Sequence, residues 1–537
     1  MIQRFSSVRP AGVMRYSLRP RGPMADTSIR PVWASLLSSP YSWLWVAGQT
    51  LAIEFSNRLS RSYPLPGCCA NMPSAAIRKL MPAAYRSLLT CHLWNVTVGC
   101  MTSALPIGET DFFRRGNYAP VADELTEYNL TVDGAIPAEL DGWYLRNGPN
   151  PRRATGHWFT GDGMIHGVRI ENGAVKWYRN RWVRTDSFIE DFRLYNADGT
   201  RNLRSSVANT HVVNHAGKTL ALVESSLPYQ ITNDLETVGA YDFGGKLVDS
   251  MTAHPKICPT TGELHFFSYG SIFEPYVTYH RADADGELTV NRPVNVKAHT
   301  MMHDFAMTAS HVIFMDLPVV FDLDIAVAEG ESGMPYRWSD EYGARFGVLR
   351  RDDPDAPIRW FDIDPCYVFH VANAHEAGNS IVLQAVRYPE MWRDSGGFDV
   401  EGVLWEWRID LAAGTVSERQ LDNLGVEFPR IDDRLAGLPA RYAVSVAGNS
   451  WVRYDLSTGS GLRHDLGSGG PGEAVFVPGA GPADESNGFY LGYVYNPERD
   501  GSDLVILDAS DFGGKPVATI KLPQRVPYGF HGNWISA

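Results

Sequence analysis

Cysteine is scarce: the 537-residue chain has six, and Cys68, Cys69, Cys91 and Cys100 crowd into the first hundred residues. Only Cys258 and Cys366 remain for the other 437, which excludes a disulfide scaffold there and suits a reducing compartment. Basic charge is also in deficit, 48 Lys and Arg against 61 Asp and Glu, for a net charge of −13. A binder of phosphate backbones needs the opposite balance, so no nucleic-acid partner is expected. Nor is the chain poor in hydrophobic residues: at 44% hydrophobic and 12% aromatic it is not disordered, collagenous or coiled-coil. Its length allows two to four ordinary domains or one large architecture with a single core.

Acids are nearly missing from residues 1–100, where Asp26 and Glu54 face eleven Lys or Arg. That segment is +9 and the remainder −22. Its first 25 residues carry five arginines, no acid and several serines, the profile of an organellar transit peptide. Pro31 to Ile53 follows as 23 uncharged residues, long enough to span a bilayer. Ser35, Ser38, Ser39, Pro40, Ser42 and Gln49 weaken it as a membrane helix. Residues 1–112 are therefore read as an atypical basic extension, with a targeting segment, a start mis-assigned ahead of Met101 and a poorly ordered tail all left open. Residues 113–537 are read as the globular body.

Helix-length amphipathic segments are missing from about residue 118 onward, and short β-rich runs bounded by Gly, Asn, Asp or Pro recur instead. Examples are KTLALVESS, ELHFFSYG, HVIFMDLPVVF, SIVLQAVRY, VLWEWRID, RYAVSVAG, GFYLGYVYN and DLVILDAS. In VRIENGAVKWY, Asn172-Gly173 supplies a hairpin turn. So many antiparallel strands exceed one sandwich, and radial repetition of four-stranded sheets buries them without long open edges. The expected fold is all-β, a β-propeller of seven or eight blades at roughly 50 residues each. Residues 319–348, rich in Glu, Gly and Asp, are expected as loops on one face.

Four of the fifteen histidines stand in unusual contexts: His254 in TAHPKICP, His303 in MMHDFAMT, His370 in YVFHVANAHE and His531 in YGFHGNW. Their separations of 49, 67 and 161 residues are about one, one to two, and three blade lengths, so inner strands of different blades can bring them together at the axis. Four neutral imidazoles suit Zn, Cu, Fe or Ni. Such a site needs acceptors for the far ring N–H groups. Acids embedded in strand-like strings are the candidates: Glu224 in LALVESSLP, Glu427 in VEFPRID and Glu473 in GEAVFVPG.

From about Tyr118 to Ala537 the chain resembles the carotenoid cleavage oxygenases, a non-haem iron family. Collinear motifs carry the resemblance, among them LDGWYLRNGPNP, HWFTGDGMIHGVRI, NTHVVNHAGKTLALVES, TAHPKICPTTGE, HDFAMT, WFDIDPCYVFHVANAHE, EFPRID, EAVFVP and PYGFHGNW. It implies a seven-bladed propeller with a loop and helix dome, and one Fe(II) per chain on His254, His303, His370 and His531. Glu224, Glu427 and Glu473 would stand behind these ligands. It also implies O2-dependent cleavage of a conjugated C=C bond into two carbonyl products. His157, His166, His211 and His215 lie inside family motifs without matching ligand positions and are read as structural.

Trp158, Phe159, Phe188, Met302, Phe305 and Phe530 are expected to line an apolar substrate tunnel. The stilbene-cleaving members have a lysine before the glutamate matching Glu224 and a tyrosine upstream, where this chain has Val223 and Phe188. A carotenoid or apocarotenoid is therefore expected as substrate, with stilbene cleavage as the alternative and an inactive propeller binding lipids or partners as a third reading. A lipid-soluble polyene implies a peripheral membrane surface, with a cytoplasmic or cytosolic-face location.

Overall fold

A computed structural model describes residues 112–537 apart from 154, 156, 191–192, 194–195, 197–200, 330–333, 394–397, 399 and 482–483. These all belong to the second of the chain's two compact units, Ser103–Ala537. The expectations placed on residues 1–111 lie outside the described residues.

The β-rich runs pair in sequence order as antiparallel sheets that form seven blades. Blade 1 comprises Gly532–Ser536, Gly142–Pro149, Gly163–Glu171 and Ala174–Trp182, in order from the axis. Blade 2 runs His211–His215, Lys218–Leu222, Tyr229–Ile231 and Thr237–Ala240, and blade 3 runs Lys256–Ile257, Leu264–Ser268, Val277–Ala282 and Leu288–Val294. Blade 4 has Ala306–Met307, His311–Asp316, Ala344–Arg350 and Arg359–Ile363. Blade 5 has Tyr367–Ala377, Ser380–Tyr388, Val403–Asp410 and Thr415–Gly425. Blade 6 has Glu427–Arg430, Tyr442–Ala447, Ser450–Asp455 and Ser460–Asp465. In blade 7, Gly470–Pro471 and Val475–Pro478 both pair with Gly488–Asn496, followed by Gly501–Asp508 and Ala518–Lys521.

Local chemistry explains the hairpins and the radial gradient of burial. Asn172 and Gly173 both have positive φ, 53° and 70°, as a two-residue turn matching the strand twist demands. In blade 5 the first eight residues of Tyr367–Ala377 are all buried, whereas Thr415–Gly425 at the rim has none buried. Inner strands are packed on both faces and read as continuous apolar runs, while rim strands alternate toward water.

Two long-range pairings close the ring. The C-terminal strand pairs with the first long strand, Gly142 opposite Ser536 through Arg146 opposite Gly532. Thr131–Gly134 adds an outer strand to blade 7, Thr131 opposite Lys521. Residues 319–348 differ from the expected loops. Val319–Phe321 and Tyr336–Trp338 form a two-stranded ribbon around the short helix Leu323–Glu329, and Ala344–Arg350 is a central strand of blade 4. The acidic, Gly-containing stretch masked three β-capable segments whose partners are supplied by tertiary pairing.

Gly142 sits where a Cβ would fall 2.3 Å from the Ile535 carbonyl oxygen and 2.7 Å from the Trp534 ring. Gly142→Ala is therefore expected to destabilise the closure by about 1–3 kcal/mol, read as a lower denaturation midpoint. The control Gly513→Ala, whose Cβ would meet only Leu462 at 3.8 Å, should stay within about 0.5 kcal/mol of the parent.

Candidate metal centre

Every blade delivers at least one polar group toward the axis. His531 directly precedes the inner strand of blade 1, His254 and His303 lie just ahead of those of blades 3 and 4, and His370 is within that of blade 5. His211 opens the inner strand of blade 2, Glu427 opens that of blade 6, and Glu473 lies between the two short inner strands of blade 7. Glu224 follows the second strand of blade 2. Asn147, fully buried, fastens His531. Its N–H donates to the His531 carbonyl at 3.0 Å, and its Nδ2 donates to the carbonyls of Ala208 and His211 at 2.8 and 3.0 Å.

The structure brings all four expected histidines together. His254 Nε2 lies 3.0 Å from His303 Nε2, which lies 3.3 Å from His370 Nε2. These three form a buried group with the spacing of a metal site. The His531 ring stands 4.6 Å from that of His254 and 4.7 Å from that of His370, centroid to centroid. The three glutamates lie behind them. His303 Nδ1 is 2.6 Å from Glu224 Oε1, His370 Nδ1 is 2.5 Å from Glu427 Oε2, and His531 Nδ1 is 2.9 Å from Glu473 Oε1.

A carboxylate can only accept, so the hydrogen bonds of His370 and His531 place their ring protons on Nδ1 and leave a lone pair on each Nε2, while His303 Nδ1 lies against Glu224 without hydrogen-bond geometry. Ring nitrogens that converge at about 3 Å are well placed to share a cation between them. Separations of 3.0 and 3.3 Å suit nitrogen ligands about 2.0–2.1 Å from one ion. The donor set therefore fits a divalent transition metal held by imidazole.

Burial, then the neighbouring histidines, holds His254 and His531 well below the ordinary histidine range, so both are neutral. Burial also works to lower His370, but Glu427 beside it prevails and raises it. His211 is likewise driven well below the ordinary range, chiefly by burial.

Each carboxylate has a second partner that sequence reasoning missed. The Tyr269 hydroxyl donates to Glu224, Tyr388 donates to Glu427 at 3.0 Å, and Arg430 donates to Glu473 at 3.0 Å. Burial, then the adjacent carboxylate, raises both phenols well above their ordinary value, so they remain donors. Nothing in the local strings marks these tyrosines, because they lie 45 and 39 residues from the glutamates they serve.

Ring contacts lead outward from the cluster. Phe369 lies 5.2 Å from His303, and Trp392 and Phe398 lie 6.0 and 5.9 Å from Phe369. Phe159 is 5.8 Å from Phe398 and 5.4 Å from Phe530, which is 4.5 Å from Trp158. The expected Trp158, Phe159 and Phe530 thus join an aromatic cage, whose members Phe369, Trp392 and Phe398 were not anticipated. Phe369, next to His370, carried the only usable signal.

Phe188, Met302 and Phe305 have other ring and core contacts. Phe305 packs on Phe267 at 5.4 Å and Phe314 at 6.5 Å in the large buried core, which also takes in Met302. Phe188 is stacked under Arg152, whose guanidinium carbon is 3.3 Å from the ring centre. Among the histidines read as structural, His157 accepts from the Phe159 N–H, His166 pairs with Tyr178 and His215 with the Gly262 carbonyl. His211 instead reaches the cluster, 5.1 Å from His531 between ring centres.

Glu473→Gln should weaken metal retention by about 10- to 100-fold, measured by competition with a chelator. The metal-free protein should also lose stability as the pH is lowered from 7.5 to 5.5. Groups lowered in the folded state, His254 and His531 here, take up protons preferentially on unfolding, so stability is lost as the pH falls below 6.5. His370 acts oppositely, contributing stability at low pH that is lost as the pH rises through its raised value, and it is outnumbered. Denaturation midpoints across that range check the sign.

A family model described as retinal pigment epithelial membrane protein matches residues 118–536. A carotenoid cleavage oxygenase of Mycobacterium tuberculosis is 38% identical over 503 residues, covering 81% of this chain and 99% of that protein. A carotenoid 9,10(9',10')-cleavage dioxygenase 1 of Arabidopsis thaliana is 35% identical over 484 residues, covering 78% and 89%. Among solved structures, the lignostilbene dioxygenase of Pseudomonas brassicacearum superposes with a TM-score of 0.73 at 27% identity, covering 81% of this chain and all of that one. A variant of the Synechocystis apocarotenoid oxygenase gives 0.72 at 27% identity, covering 80% and 98%. By its sequence and its propeller, the chain belongs to the carotenoid cleavage oxygenase family.

Proposed function

We propose that this protein is a non-haem Fe(II) dioxygenase, with one iron per chain, that cleaves a conjugated C=C bond of a carotenoid or apocarotenoid. The observation that supports it most is the convergence of carboxylate-backed imidazoles beside an aromatic cage. His254, His303, His370 and His531 would hold the metal, with Glu427 and Glu473 keeping the Nδ1 proton on the last two and Glu224 standing beside His303. Bound there, ferrous iron supplies the redox chemistry that lets triplet dioxygen react with a closed-shell alkene. The balance needs no other reactant: one C=C and one O2 become two C=O groups, aldehydes or ketones.

The remaining work belongs to the chain's own residues. Phe159, Phe369, Trp392 and Phe530 exclude water and grip an apolar polyene, fixing one double bond near the histidines. Val223 is buried, with no charge to offer a phenol, which favours a polyene over a hydroxystilbene. Phe398, 38% exposed at the outer end of the cage, supports entry from a peripheral membrane surface. Exposed Ile272 and Phe273 are further apolar surface of the kind a leaflet would cover. A cytoplasmic or cytosolic-face location accords with this reading. Among the described residues, no helix is long and apolar enough to cross a membrane.

The test is anaerobic reconstitution with Fe(II), exposure to O2 with carotenoids, apocarotenals and hydroxystilbenes in parallel, and product identification by mass spectrometry. Two aldehyde or ketone fragments from a polyene are expected. His303→Ala and His531→Ala should lose both iron and cleavage, and an iron-free variant that still cleaves would overturn the assignment. Products from the stilbene alone would establish the alternative substrate.

A further inference from the structure

Blade 2 contributes a fifth imidazole that the proposed ligand set does not use. His211 is 8% exposed, and its ring centre is 5.1 Å from His531 and 6.2 Å from His254. Its Nδ1 lies 2.8 Å from the Ala253 carbonyl oxygen. A carbonyl only accepts, so Nδ1 carries the proton and Nε2 is left with a lone pair. That Nε2 is buried and meets no protein donor. An unmet buried acceptor costs about 1–3 kcal/mol, so such an atom ordinarily marks a place for water or a ligand.

The surroundings have the room and polarity required. His211 lines a cavity of about 440 Å³ together with His254, His370, His531, Lys256 and Arg430. At roughly 30 Å³ per molecule, that space admits several waters. None of the cage aromatics Trp158, Phe159, Phe369, Trp392, Phe398 or Phe530 lines it. Phe428, Ile257 and Met307 do line it, so the charged groups Lys256, Asp304, Arg430 and Glu473 are set in a largely apolar wall and mark where water would be held.

We propose that His211 Nε2 accepts a hydrogen bond from a water molecule held in this charged cavity, so that His211 is a positioning residue for a hydrated compartment against the cluster. The assignment of the water rests on His211 and the cavity, and only its spectroscopic test rests on the proposed iron.

Fe(II)-loaded protein treated with nitric oxide and exchanged into D2O is examined by pulsed electron paramagnetic resonance. The parent should show coupling to an exchangeable deuteron of a nearby water. His211→Phe should reduce that coupling at least threefold, and His211→Gln, which retains an acceptor, should restore it. Parent-like coupling in a folded His211→Phe would overturn the proposal. A crystal structure of the parent gives an arm independent of any variant. Water about 2.7–3.2 Å from Nε2 supports the proposal, while Nε2 bound directly to the metal, or facing no water, refutes it. Failure of the parent to retain iron would defeat the dioxygenase reading on metal analysis alone, and the metal-free crystal structure would still decide the water.

Discussion

Protons on the Nδ1 atoms of His370 and His531, drawn to Glu427 and Glu473, leave Nε2 lone pairs turned toward the propeller axis, with Glu224 beside His303. Without those carboxylates a ring could adopt the other tautomer and present an N–H where a ligand atom is required. The carboxylates are costly in turn, because Glu473 is almost wholly buried. Arg430, Tyr269 and Tyr388 offset that cost with a charge and two hydroxyl donors. The centre is thus a set of nested obligations, each imidazole requiring a carboxylate and each carboxylate a further donor.

A closed ring of blades meets those obligations because its inner strands all face one line. The strand that follows His531 is also the strand that closes the ring against Gly142–Pro149. Asn147 on the partner strand bonds the His531 backbone and the inner strand of blade 2 at once. Closure and assembly of the centre are consequently one event, and a loosened C-terminal strand would displace a proposed ligand.

Much of this was legible in the sequence for identifiable reasons. A histidine or glutamate inside a string that otherwise reads as buried strand must have a partner, which is why His370 and Glu473 stood out. Asn172-Gly173 announced its hairpin because few residue pairs tolerate two successive positive φ values. Apolar character marks core and cavity wall equally, and the Phe305 ring packs between Phe267 and Phe314. Phe188 stacks under Arg152. His211 was read as structural because it lies inside a family motif without matching a ligand position.

By itself the sequence determined the strand periodicity, the turns, the supply of imidazole and carboxylate groups, and the family to which their order belongs. These are properties of residues and near neighbours, set by local sterics and by the cost of burying an unpaired polar group. Only the tertiary structure decided which tyrosine serves which glutamate, which aromatic rings form the cage and where the fifth histidine stands. Those relations join residues dozens to hundreds of positions apart, and no local energetic preference links them until the ring of blades closes.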